Sequence, residues 1–244
     1  MYFITKSHNS KTIGYKQLKI YKYRSHNIRL AWCKSVLDII KNFNVKKIND
    51  LGCNYFQLFK EMQLRKLKYD YFGYDFDKEF IKIGLNYLVK IKKNSKKFKN
   101  KLFRINNLKK VGYSINGLKF NYEILNVEKE KLRTCDCSVL SAILEHTDYP
   151  YKVLQNAFKT TRKIIILRTF IDLKKQNAIQ VKNVKHPYNI RRFGFNSLKK
   201  IFSINGFDLN FILDEATKFS TKSLYVNNNL KNQRKFYIGL AVKK

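Results

Sequence analysis

The chain has 244 residues, with 51 Lys and Arg against 17 Asp and Glu, a formal net charge of +34. Hydrophobic residues make up 44% and aromatics 15%, enough to pack a core, which excludes an intrinsically disordered polycation. With 2 Pro and 9 Gly the composition also excludes collagen-like and low-complexity architecture.

Residues 1–26 are polar and tyrosine-rich and read as an N-terminal arm or lid, leaving 27–244 as a single domain. From Asn27 to Phe43, the apolar positions Ile28, Ala31, Trp32, Val36, Ile39 and Ile40 recur at three and four, the stripe of an amphipathic helix. Val45 to Leu51 is a strand running into the turn Gly52-Cys53-Asn54, and Phe56 to Leu67 returns to helical spacing. Tyr69 to Phe76 is a second strand, and Asp77 opens a helix to Ile91 with Glu79 in its first turn. A basic insertion around 92–117 interrupts the alternation.

Further on, strands are predicted at Leu118 to Leu125, Cys135 to Ala142 and Lys163 to Phe170, with a helix from Pro150 to Thr160 between the last two. Asn196 to Ile204 is a helix, and Gly206 to Leu213 and Phe236 to Val242 are two final strands with no helix between them. Strands alternating with helices predict an α/β fold, a doubly wound, Rossmann-like, mostly parallel seven-stranded sheet covered on both faces. The last two strands predict a C-terminal antiparallel hairpin.

Met1 to Ser10 lacks an apolar signal core, and no run approaches the roughly 20 apolar residues of a membrane span, so a cytoplasmic protein is expected. Cys33, Cys53, Cys135 and Cys137 form no paired C-x-x-C, which points to core thiols rather than a metal site.

In doubly wound sheets, ligands bind outside the carboxyl ends of the strands. Asp50-Leu51-Gly52-Cys53-Asn54 follows the first strand, Asp75-Phe76 the second, Asn126 the third, and Ser141 through Glu145-His146 the fourth. These polar groups are expected to converge on one crevice. Gly52 lets backbone approach a ligand where a Cβ would collide. Asp75 lies 75 − 52 = 23 residues on, close to the roughly 20 expected for an acid that grips ribose hydroxyls.

The chain resembles the class I S-adenosylmethionine-dependent methyltransferases over residues 27–244. The resemblance rests on Ile48-Asn49-Asp50-Leu51-Gly52-Cys53, Phe72-Gly73-Tyr74-Asp75, Asp136 with Ile143-Leu144-Glu145-His146, and Asn205-Gly206-Phe207, in that order and spacing. It implies S-adenosylmethionine as cofactor, with Asp50, Gly52, Cys53, Asn54, Asp75, Phe76, Asn126 and Ser141 around it. In that setting Asp75 would take the ribose, Asn126 the adenine amino group, and Ser141 would stand near the methyl donor. Two positions depart from the pattern, since the second and third glycines are Asn54 and Phe56 here. Asn is at ease at positive φ. For Phe56 two readings stay open: it points to the core with the loop remodelled, or it intrudes on the cofactor.

Methyl transfer to a hydroxyl needs alignment and a base, with no metal required. His146 is the candidate base because imidazole titrates near neutrality; Glu145 is the candidate to orient it. His186, with Tyr188, Arg191 and Arg192, lies where such folds place acceptor loops. The expected acceptor is a small molecule, a sugar or surface-glycan precursor hydroxyl. Two alternatives remain: an RNA methyltransferase, or a degenerate binding protein if Phe56 blocks the pocket.

Nucleic acid is suggested by the charge, concentrated between Lys90 and Lys110. However, the basic residues are 41 Lys and only 10 Arg, in a chain also rich in Asn, Ile, Phe and Tyr, as A/T-rich codons would produce. Arg, the bidentate fork for phosphate and guanine, is the scarce one.

Overall fold

The computed structural model describes residues 30–91, 110–115, 118–172, 179–182, 189–215, 223–226, 230–233 and 236–244. The predicted arm at 1–26, most of the basic insertion, and His186 and Tyr188 lie outside the described residues.

The elements in chain order are α1 (Ala31–Lys41), β1 (Lys47–Leu51), α2 (Gln57–Leu64), β2 (Asp70–Asp75), α3 (Lys78–Ile91), β3 (Lys110–Ile115) and β4 (Leu118–Ile124). They continue with β5 (Cys135–Ser141), α4 (Pro150–Thr160), β6 (Thr161–Thr169), β7 (Ile171–Asp172), β8 (Ile179–Lys182), β9 (Asn189–Gly194) and α5 (Phe195–Ile204). The last are β10 (Phe207–Leu213), β11 (Ser223–Val226), β12 (Leu230–Gln233) and β13 (Tyr237–Lys243). Every strand and helix expected from the hydrophobic pattern is present within a few residues of its predicted bounds.

The main sheet has the order β10-β13-β6-β5-β1-β2-β4-β3. Its centre, from β4 through β2, β1 and β5 to β6, is parallel. β13 inserts antiparallel between β6 and β10, which is the expected terminal hairpin. Beyond the seven expected strands, an eighth, β3, pairs antiparallel with β4 at the other edge. It comes from the end of the basic insertion, where a short alternation of Val111, Tyr113 and Ile115 is bordered by lysines. Small ladders join β7, β8 and β9, and β11 with β12.

Alternation along β1 sends Ile48 to one face and Leu51 to the other, and each belongs to a different core. One core packs Trp32, Val36, Leu37 and Ile40 of α1, Leu58, Phe59 and Met62 of α2, and Ile81 of α3 against the sheet. The other packs Val153, Leu154 and Ala157 of α4 and Leu198 and Phe202 of α5 on the opposite face. The four cysteines are free and buried.

At the β6–β13–β10 side, Arg168 donates through Nε to Asp214 Oδ2 at 2.7 Å, with Asp214 fully buried. The guanidinium lies 3.9 Å from the Phe236 ring and 5.8 Å from that of Trp32, and Phe236 stacks on Phe170 at 4.1 Å. This column ties the start of α1 to two strands flanking β13. Removing one member of a buried pair leaves a desolvated charge, so Asp214→Ala is expected to cost about 3–5 kcal/mol in chemical denaturation. An apolar double replacement, Arg168→Met with Asp214→Leu, is expected to recover most of that loss.

Candidate functional site

The chain leaves β1 toward β2 on one side, and the strands that follow, β5 and β6, lie on the other. A crevice therefore opens at the carboxyl ends flanking β1, the switch point where such sheets bind ligands. A cleft of about 130 Å³ is found there. Its walls are Gly52 and Asn54 after β1, Tyr74, Asp75, Phe76 and Phe80 around the β2 end, and Leu125, Asn126, Val127 and Glu128 after β4. Ala142, Ile143, His146, Thr147 and Asp148 follow β5 and close it.

The turn after β1 is built on alternating left-handed residues, Gly52 at φ 71°, Asn54 at φ 52° and Phe56 at φ 60°. A side chain on Gly52 would place its Cβ 2.8 Å from Ile143 Cδ1, so the β1 turn and the β5 loop can meet only with glycine here. The Gly52 and Cys53 amides both donate to the Tyr74 carbonyl, at 2.8 and 2.9 Å. Asp75 Oδ2 accepts from the Asn54 amide and Oδ1 from the Asp77 amide, each at 2.9 Å. Burial pushes the Asp75 carboxyl up to about 6, against these amides, which favour its charged form.

Phe56 does not enter the cleft. Its ring is 1% exposed and packs edge-on against Phe120 at 4.9 Å, with Tyr122 and Tyr71 at 5.8 and 6.5 Å. The space is made by Gly84 of α3, where a Cβ would stand 2.4 Å from Phe56 Cδ2, and by Gly73 of β2, where it would stand 3.1 Å from Cε1. Of the two sequence readings, the core-facing one holds.

Other predicted residues divide. Asn126 lines the cleft, with its Oδ1 accepting from the Glu128 amide at 2.9 Å. Phe76 lines it and is 46% exposed. His146 lines it too, its amide donating to the Ile143 carbonyl at 3.0 Å.

Asp50, Cys53, Ser141 and Glu145 are not among the lining residues. Asp50 is buried and accepts from the Tyr71 hydroxyl at 2.7 Å, and burial pushes its carboxyl up to about 7. Cys53 packs under Gly73, and burial pushes its thiol well up. Glu145 is fully buried and accepts from Thr169 Oγ1 at 2.9 Å, a bond that ties the β5 loop to the end of β6. At Ser141 the strand ends one residue early for the cleft, and left-handed Ala142 takes the wall instead.

Sequence reasoning missed Glu128, Thr147 and Asp148. The Asp148 amide donates to Glu128 Oε1 at 2.9 Å, joining the β4 and β5 loops. Their signal was spacing, since each acid stands two residues after a predicted site residue, Asn126 or His146.

The charge of the cleft is opposite to that of the chain. Lys and Arg number 51 of 244 residues, yet among the described residues none lines the cleft, whose walls include the carboxylates of Asp75, Glu128 and Asp148.

Sheet order, the antiparallel last strand and a cleft at the β1 turn together define the class I S-adenosylmethionine-dependent methyltransferase fold. Comparison with solved structures agrees. The chain is similar to magnesium protoporphyrin IX methyltransferase from Synechocystis PCC 6803 with bound SAH, at 12% identity and a TM-score of 0.54, covering 94% of this chain and 86% of that one. It is similar to the 1,6-didemethyltoxoflavin-N1-methyltransferase of Burkholderia thailandensis at 10% identity and a TM-score of 0.53, covering 93% and 87%. For the methyltransferase domain of bacterial CtHen1 the values are 13%, 0.53, 87% and 97%. No protein-family model and no curated protein matches the chain.

The residues present fit S-adenosylmethionine. Gly52 lines the cleft without a side chain, and Asp75 and Asn126 bring carboxylate and amide acceptor oxygens to its wall.

Since the Phe56 ring serves the core, Phe56→Gly is expected to destabilise the fold by about 2–4 kcal/mol in thermal or urea melts, the lost ring outweighing relief of the left-handed backbone. Gly84→Ala is expected to destabilise by about 1–3 kcal/mol because Phe56 has nowhere to go.

Proposed function

We propose that the chain is an S-adenosylmethionine-dependent methyltransferase that modifies a hydroxyl of a small acceptor, a sugar or surface-glycan precursor. The observation that carries the cofactor is the carboxylate-lined cleft, which has no Lys or Arg among the described residues that line it, in a chain of net charge +34. A dinucleotide would bring two pyrophosphate charges against three carboxylates, whereas a sulfonium cofactor brings a cation that such a wall attracts.

When bound, S-adenosylmethionine supplies an electrophilic methyl group. In this reading Asp75 holds the ribose hydroxyls, Phe76 and Val127 flank the adenine, and the second lone pair of Asn126 Oδ1 accepts from its amino group. His146 stands on the β5 wall to take the proton from the acceptor oxygen as that oxygen gains the methyl. Glu145 acts through position only, by fixing the loop that carries His146.

Calorimetry tests the cofactor. Wild type is expected to bind S-adenosylmethionine and not NAD, and Asp75→Ala to bind it ten- to a hundredfold more weakly, the range for a lost bond to a charged group. Failure of wild type to bind would remove the reading.

Proton linkage gives a second check. The folded carboxyl of Asp75 titrates near 6, above its ordinary 3.8, so its contribution to folding stability is full below about pH 4 and lost as pH rises through 6. Ribose binding needs the ionised form, so cofactor affinity is expected to run the other way, falling as pH drops below about 6, with Asp75→Asn flattening that dependence. For the chemical step, release of S-adenosylhomocysteine with a panel of nucleotide-sugar acceptors is expected to fall about 10²- to 10⁴-fold in His146→Gln, with cofactor affinity unchanged.

A further inference from the structure

The two ends of the sheet carry opposite charge. At the carboxyl end lies the cleft with Asp75, Glu128 and Asp148. At the amino end, Lys46 and Lys47 lead into β1, Arg162 and Lys163 follow the first residue of β6, and Lys243 and Lys244 close β13, which runs the other way. All but the half-buried Lys163 are exposed. Because β13, β6, β5 and β1 are consecutive in the sheet, these cations form one row about 14 Å wide. Exposed Lys41 and Lys159, at the ends of α1 and α4, extend it over both faces. Among the described residues, the carboxylates at these strand starts already have partners. Asp136 accepts from the Lys46 and Lys47 amides at 2.8 and 3.0 Å, Asp70 pairs with Lys119 at 3.4 Å, and Asp208 accepts from Asn210 at 3.3 Å.

Exposed aliphatic side chains border the row. Ile204, 74% exposed, ends α5 next to Ser203, whose Oγ accepts from Lys244 Nζ at 3.4 Å. Leu64, 50% exposed, ends α2 just before Lys66 and Lys68.

We infer that the amino-terminal edge of the sheet is a docking surface for an anionic lipid bilayer, with the lysines on the headgroups, Ile204 and Leu64 in the interface, and the cleft facing away from the membrane. Five of the six cations in the row are lysine, a point charge suited to headgroups, where the arginine fork suits bases and phosphodiesters. Surfaces that hold single-stranded nucleic acid interleave aromatics for stacking. Here the exposed aromatics Phe76, Tyr149 and Tyr151 belong to the cleft end, and the side chains exposed beside the lysines are aliphatic, as on an interfacial helix. The nine residues of β6 hold the row about 30 Å from the cleft, well beyond the Debye length of about 8 Å at physiological salt. The cleft carboxylates therefore neither cancel the attraction nor meet the charge of the membrane. Docking at this edge does not depend on the cofactor reading.

Flotation of the full chain tests it, with vesicles of phosphatidylglycerol and phosphatidylcholine in equal parts and with phosphatidylcholine alone. Binding is expected to the anionic vesicles only, and to be lost between about 0.1 and 1 M salt. The combined variant Lys46→Gln, Lys47→Gln, Arg162→Gln and Lys244→Gln is expected to bind about 10²- to 10³-fold more weakly, about fivefold for each cation. A control removes the same charge near the starts of α1, α3 and α4, through Lys34→Gln, Lys78→Gln, Lys82→Gln and Lys152→Gln, and is expected to stay within about fivefold of wild type. Ile204→Ser with Leu64→Ser is expected to weaken vesicle binding about tenfold, and a melt of each variant confirms that it is folded.

No binding to anionic vesicles would overturn the inference, and so would equal loss in the control, which would reduce the effect to net charge. Titration with single-stranded RNA examines the competing occupant. RNA binding that falls with the row and ignores Ile204 and Leu64, in a chain that does not float with vesicles, would assign the edge to nucleic acid instead.

Discussion

The turn after β1 is the constraint on which the rest of the cleft depends. Three of its five residues, at positions 52, 54 and 56, are left-handed, and only the first is glycine. A left-handed backbone at Phe56 costs roughly 1–2 kcal/mol, and less at Asn54, since Asn visits that region readily. Burying the Phe56 ring returns about 1.5–3 kcal/mol, with more from its edge contact to Phe120. The Asp75 carboxylate holds the turn from the other side through the Asn54 amide. The turn is therefore clamped between a core plug and a strand-end acid, and the plug depends on Gly73 and Gly84 of neighbouring elements, which leave room for its ring.

Asp75 is thus asked for two things. It organises the turn through its amide bonds, and it remains at the cleft wall, where a ligand can reach it. Its burial raises the energy of the charged form, which makes the site responsive to any partner that supplies donors or positive charge. Among the described residues no Lys or Arg lines the cleft, so the local field there is set by three carboxylates rather than by the net charge. Net charge describes how the molecule behaves in bulk solution; the cleft is governed by the few groups that line it.

The fold was legible because strand and helix periods persist through a biased composition, and because β1 and β2 end in residues that a parallel sheet needs at its carboxyl edge. What stayed hidden has physical causes. The edge strand β3 carries only a short alternation, Val111, Tyr113 and Ile115, at the end of a lysine-rich run that hides it, and it pairs with β4 at the sheet edge. Asp50 and Glu145 looked like site acids because they sit in the right motifs, yet each is buried and bonds inside the fold, to Tyr71 and Thr169, partners 21 and 24 residues away. Sequence spacing fixes where the backbone passes, while the side on which a carboxylate finds its hydrogen bond depends on contacts that no local pattern encodes. Glu128 and Asp148 were missed for the converse reason, since each gains its place only when the β4 and β5 loops meet.

The substitutions in the glycine motif bear on how such motifs are read. What the site requires is a backbone path, and glycine is the least constrained way to obtain it. Here the path is enforced from outside, by a buried aromatic ring at one position and a carboxylate at the next, so the missing glycines do not imply a lost cleft. Phe56 would argue for a blocked pocket only if its ring stood in the cleft, and the ring instead fills the space between α2, α3 and the sheet. A residue that reads as damage to the motif is, in three dimensions, one of the two clamps that keep the motif's geometry.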